Sequence, residues 1–168
     1  MEEKSLQQFA LDLYSQEGIA PLCLAWQDQH SIDVTVLLMA AWAGTRGYRL
    51  SPADIAASSD AVARWRSEII APLRAVRRRL KEPFGQVKPE ERTQLREKVS
   101  AAELDSEFIA LRILGDFGTA ESTEIAPETA VPENVSAVFA HFSDDAPQSA
   151  GDVELIARTA LRVGNNPL

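Results

Sequence analysis

Two groups of residues have the types and spacing to do chemistry. The first is basic: Arg64, Arg66, Arg74, Arg77, Arg78, Arg79 and Lys81, opposed only by Glu68. At about 100° per residue, a helix gathers Arg64, Arg66, Arg74, Arg77, Arg78 and Lys81 into an arc of roughly 160°, with Arg79 and Glu68 elsewhere. Such a face suits an anion or a phosphate backbone; it equally suits a solvated surface matched by the chain's own acidic segments. The residues expected to bind are Arg66, Arg74, Arg77, Arg78 and Lys81. The second group is Gln27, Asp28, His30 and Asp33, between two helical segments and beside Trp26. Two carboxylates and an imidazole can bind a divalent cation or move a proton. They can also do no more than cap helix ends, with Asp33 the natural N-cap of the next helix.

Other chemistry is thinly represented. Cys23 sits among apolar neighbours with no evident base, as a small hydrophobe does. One cysteine and two histidines are too few for a closed zinc site, and no metal and no cofactor is expected. Asp116-Phe117-Gly118 spells a kinase tripeptide without the glycine-rich or catalytic loops that would give it meaning. Trp26, Trp42 and Trp65 read as core residues.

The elements that must position these groups are helical. Ser5 precedes the stripe Leu6, Phe9, Ala10, Leu13, Tyr14, which ends before Gly18. A short second helix starts near Pro21, with Leu22, Ala25 and Trp26 on one face, and ends near His30. From Val34 to Ala43 only Thr35 is not apolar, so this third helix has no polar face and belongs in the middle of the fold, closed by Gly44 and Gly47. Ser51-Pro52-x-Asp54 is a variant capping box. Asp60 is placed to cap a longer helix carrying Val62, Trp65, Ile69, Leu73, Val76 and Leu80, with a kink or break at Pro72. Pro83 and Gly85 end it. Pro89-Glu90-Glu91 opens another helix carried by Leu95, Val99, Ala102, Leu104, Phe108 and Leu111, with Gly118 as its stop.

Residues 116–154 hold nine acidic residues, no lysine or arginine, and Pro127, Pro132 and Pro147, a linker-like composition. Val135, Val138, Phe139 and Phe142 can form a turn or two of docked helix there. Asp152 then caps a last helix with Val153, Ile156, Ala157, Ala160 and Leu161. The expected fold is all-α: a single bundle of about five to seven helices with an acidic, partly flexible C-terminal segment. Its expected divisions are a core over 1–115, a linker-like segment over 116–150, and a helix and tail over 151–168.

The 168 residues are 45% hydrophobic and 25% charged, ordinary values for a globular chain, and the net charge of −8 opposes unaided binding to nucleic acid or an anionic membrane. The N-terminal residues lack signal-peptide character, and no apolar run reaches the roughly 18 residues of a membrane span. A cytoplasmic location and no membrane association are expected.

Tyr14, Gly18-Ile19, Cys23 to Asp28, Asp33-Val34, Leu37-Leu38, Trp42, Trp65, Pro72-Leu73-Arg74, Arg77-Arg78 and Ala102-Glu103-Leu104 carry a resemblance. Over roughly residues 5–110 the chain resembles a family of small proteobacterial proteins of unknown function, with a variable C-terminal part. The resemblance implies a bacterial cytoplasmic protein and no particular activity. Two functions are open to these residues. One is a helical binding or adaptor protein, using the basic face for a protein partner first and RNA second. The other is a helical enzyme or small-ligand-binding protein with a pocket near Asp28, His30 and Asp33.

Overall fold

A computed structural model describes residues 4–117, 123–144 and 150–165. The fold is all-α, with one two-residue antiparallel ladder pairing Tyr48 with Glu124 and Arg49 with Thr123. The helices are α1 (Leu6–Tyr14), α2 (Ile19–His30), α3 (Val34–Thr45), α4 (Pro52–Trp65), α5 (Ala71–Arg79), α6 (Pro89–Gly115), α7 (Pro127–Phe142) and α8 (Ala150–Gly164), and a single π turn (Arg66–Ile70) joins α4 to α5. If α4, the π turn and α5 count as one rod, the described residues form seven helices. The expected stop at Gly118, the proline at 147 and the last three residues of the tail lie outside the described residues. The chain folds as two compact units, Val62–Ala110 and the remainder.

In the first unit α3 is the centre. Every side chain from Thr35 to Gly44 is buried, as a helix without a polar face requires, and α3 packs against α1, α2, α7, α8 and the strand at Tyr48. Its N-cap is Asp33, whose Oδ1 accepts from the Thr35 and Val36 amides at 2.9 and 3.4 Å and from the Thr35 hydroxyl at 2.6 Å. Ser5 caps α1 through the Gln8 amide. Ser51 and Asp54 form the expected reciprocal box, the Ser51 amide donating to Asp54 Oδ2 at 2.7 Å and the Asp54 amide to Ser51 Oγ at 3.2 Å. In α2 the buried face is Ile19, Cys23, Trp26 and His30, not Leu22 and Ala25, because the helix starts at Ile19, two residues before Pro21.

Three expectations change. Asp60 caps nothing; it is an exposed residue inside α4, which runs without interruption from its Ser51 box to Trp65. The segment read as linker-like holds α7, sixteen residues whose Ala130, Val131, Asn134, Val135, Val138 and Phe139 form a buried face. Val135, Val138 and Phe139 are the part of that face expected as a turn or two of docked helix; averaged composition masked its length, because its acidic members Glu128 and Glu133 sit off the buried positions. Gly44 does not end α3 but lies in its last turn, where α7 crosses: a Cβ there would stand 2.7 Å from Val131 Cα and 2.9 Å from Val131 N. Gly47, at φ +79, is the residue that turns the chain. Gly44→Ala should therefore destabilise the protein by up to about 2 kcal/mol, since backbone overpacking of about 1–3 kcal/mol outweighs the roughly 1 kcal/mol gained in helix propensity. Denaturant unfolding checks the sign, and a stabilised variant would mean that α3 and α7 approach less closely than this.

Candidate functional site

The second unit decides what becomes of the basic face. Pro72 has no N–H to give the Glu68 carbonyl, and its ring would press on that carbonyl in a regular helix. The chain answers one residue earlier: the Ala71 amide donates to Arg66 O, five residues back, making the π turn. A π turn inserts one residue, so every later position rotates by one place. Ile70, not Ile69, is buried, Val76 is 48% exposed, and the inward positions of α5 pass to Leu73, Arg74 and Arg77.

Two of the five residues assigned to the binding face consequently meet acid within their own unit. Arg74 Nε donates to Glu103 Oε1 at 3.0 Å and its Nη2 to Glu107 Oε1 at 2.8 Å. Arg77 grips Glu103 through two bonds, Nε to Oε2 and, at 3.2 Å, Nη2 to Oε1. The Glu103 side chain is 7% exposed, and those of Arg74 and Arg77 about a fifth. Of the remaining three, Arg66 is half-buried, whereas Arg78 and Lys81 are exposed. Arg64 lies outside the cluster and pairs with Glu68 one turn on, at 2.9 Å. The expected single face is thus divided between an internal ion-pair cluster and a few exposed cations.

On sequence grounds Glu103, Ser106 and Glu107 had no role. A signal was present: carboxylates four apart on α6 match guanidiniums three apart on α5. The apolar stripe assigned to α6 holds at Leu111 but not at Leu95 and Leu104. Glu103 and Ser106 are buried, while Leu95 and Leu104 are exposed, and Trp65 Nε1 donates to Ser106 O at 2.9 Å.

Burial pushes the Glu103 carboxyl up, but the hydrogen bonds and charges of Arg77 and Arg74 together outweigh it and hold the group below its ordinary value of 4.5. A depressed folded value stabilises above the unfolded value, and that contribution is lost as pH falls through the folded one. Glu103→Gln should cost about 1.5–3 kcal/mol at neutral pH, in the range of hydrogen bonds to charged groups. Acidification from neutral pH to below about 4 should destabilise the wild type more than the variant. Chemical denaturation at both pH values tests this; equal losses would mean the cluster contributes nothing to stability.

The second group lies in the first unit, where Asp33 caps α3. The His30 ring lies 4.9 Å from that of Phe139, with Nδ1 3.4 Å from Ser143 Oγ, while Asp28 is exposed and Gln27 half-buried. Trp26 packs edge-on against Phe139 and Trp42 is buried with its Nε1 donating to Lys4 O at 3.1 Å, but Trp65 belongs to the second unit. Among the described residues no group of three His, Cys, Asp or Glu is arranged to hold a metal ion. Burial pushes the Cys23 thiol up to about 12, so it stays protonated at neutral pH. An open cavity of about 590 Å³ lies elsewhere, lined by Gln16, Glu17, Leu155, Arg158, Thr159 and Arg162.

The family described as protein of unknown function (DUF2390) matches residues 5–114. The chain belongs to this family. The stretch shared with DUF2390 takes in α1 through α5, nearly all of α6, the whole second unit and both groups of polar residues, and stops short of α7 and α8. No curated protein and no solved structure matches the chain. Among the described residues no helix is long and apolar enough to cross a membrane.

Proposed function

We propose that this protein is a binding or adaptor module whose contact surface lies in the second unit, and that its partner is a protein. One observation carries this reading. Among the described residues the buried apolar side chains of Val62–Ala110 are only Val62, Ile70 and Ala110, whereas Val76, Phe84, Val87, Leu95, Leu104 and Ile109 are substantially exposed. That is six of the eight large exposed apolar residues, the other two being Leu11 and Leu24. A segment that keeps its apolar side chains outside and an ion-pair cluster inside offers area to another surface. RNA is the weaker partner, since Arg74 and Arg77 already hold carboxylates and the chain carries a net charge of −8.

Site-specific photocrosslinking in the source cells tests the reading, with the crosslinker placed at Leu104, at Ile109, at Phe84 and, as control, at Leu24. A discrete protein adduct from the second-unit positions and none from Leu24 is expected. Adducts to RNA, or the same adducts from all positions, would sink it.

A further inference from the structure

The exposed residues of the second unit are not uniform, and one stretch combines apolar anchors with a strong excess of positive charge. It is the turn between α5 and α6. Val76, Phe84 and Val87 are 48%, 52% and 44% exposed, and Arg79, Lys81 and Lys88 are exposed beside them in sequence. Over 76–88 there are five basic residues and a single carboxylate, Glu82; even without Arg77, which Glu103 holds, the turn is strongly cationic. The aromatic ring is held in place. Arg79 Cζ stands 4.4 Å from the Phe84 ring centroid, the Val87 amide donates to Phe84 O at 2.9 Å, and Gly85 takes the left-handed conformation at φ +51. A positioned aromatic rimmed by cations is the composition of an interface anchor.

We infer that this turn is the recognition point of the second unit, and that it takes a partner segment in which carboxylates flank an aromatic or aliphatic side chain. The inference rests on the reading of the second unit as a protein-binding surface and adds where and what it binds. Charge complementarity selects the acidic class, and the three exposed apolar residues select a ligand with an apolar side chain of its own. An extended polyanion fits less well. Glu90 and Glu91 follow at once on α6 and confine the positive field to the turn, and one aromatic is a poor platform for successive bases.

The test is random-peptide display on the full-length protein, followed by titration of the enriched peptides against Phe84→Ser, Lys81→Glu and the control Leu24→Ser. All three positions are exposed and should not disturb folding. The enriched peptides should carry acidic residues around an aromatic or aliphatic one. Their binding should weaken with salt and should fall by about tenfold or more in each turn variant while Leu24→Ser binds as the wild type does. Peptides that bind regardless of the turn substitutions but are lost in Leu104→Ser would overturn this inference and leave the protein-binding surface standing elsewhere on the unit. No enrichment at all, or tighter binding to oligouridine RNA than to any peptide, would overturn both.

Discussion

A chain ending after Phe117 should fail to fold its first unit. The residues removed include α7 and α8, whose Val131, Val135, Val138, Phe139, Val153, Ile156 and Val163 are buried, most of them completely. At about 1.5 kcal/mol for each of these seven, the low end for a buried aliphatic or aromatic side chain, the loss is roughly 10 kcal/mol, comparable with the whole stability of a domain. The α3 side chains that these helices cover would be uncovered as well. Circular dichroism, dye binding and near-ultraviolet signals of Trp26 and Trp42 report the outcome. The truncated chain should lose the near-ultraviolet signals of Trp26 and Trp42 and should bind a hydrophobic dye. A cooperative melt with native near-ultraviolet signals would mean that the stretch matching the family is self-sufficient, and that α3 does not depend on α7 for its cover.

Asn134→Leu should cost about 3–6 kcal/mol, at the severe end for a single substitution. Asn134 is fully buried in α7, and its amide satisfies three backbone groups from elsewhere in the chain. Its Oδ1 accepts from the Leu50 amide at 2.9 Å, and its Nδ2 donates to Tyr48 O at 2.8 Å and to Ala40 O at 3.0 Å. Leucine keeps the branching of the side chain but is bulkier, so overpacking adds to the loss of the hydrogen bonds. The Leu50 N–H and the Tyr48 carbonyl lose that partner in a buried setting, each at a cost of about 1–3 kcal/mol, whereas the Ala40 carbonyl keeps its helical bond. Asn134→Asp keeps the acceptor for Leu50 but turns an oxygen toward two carbonyls, and should be as damaging. Urea unfolding decides. A loss below about 1 kcal/mol would show that water satisfies these groups when the side chain is gone.

The sequence made the helices legible where a cap or a one-sided stripe stood alone. Ser5, Asp33 and the Ser51–Asp54 box each mark a start that the structure keeps, and the absence of a polar face on α3 located the centre of the fold. Faces were legible only where the period was unbroken. The π turn cannot be read as an inserted residue from apolar spacing, and once it is present the later positions rotate, which is why Arg74 and Arg77 read as solvent-facing. Charge counting failed for a related reason: net acidity over 116–154 says nothing about which side of a helix the acid occupies. Asn134, a lone polar residue in an apolar stripe, reads as an interruption and is the fastening. The Asp33 cap was recoverable because a cap is local, whereas a pocket needs contacts between residues far apart in the chain.

The distance along the chain between α3 and its cover has a consequence for synthesis. About 80 residues separate Thr45 from Pro127, so a ribosome adding about 5–20 residues each second leaves α3 without α7 for roughly 4–16 s. Through that interval the most apolar segment of the chain has only α1 and α2 to lie against, while Val62–Ala110, whose contacts are local, has time to assemble in full. An apolar helix left uncovered for seconds exposes the nascent protein to aggregation. Synonymous codons that slow translation between residues 45 and 127 should lengthen its exposure and lower its yield without altering a single contact of the finished molecule.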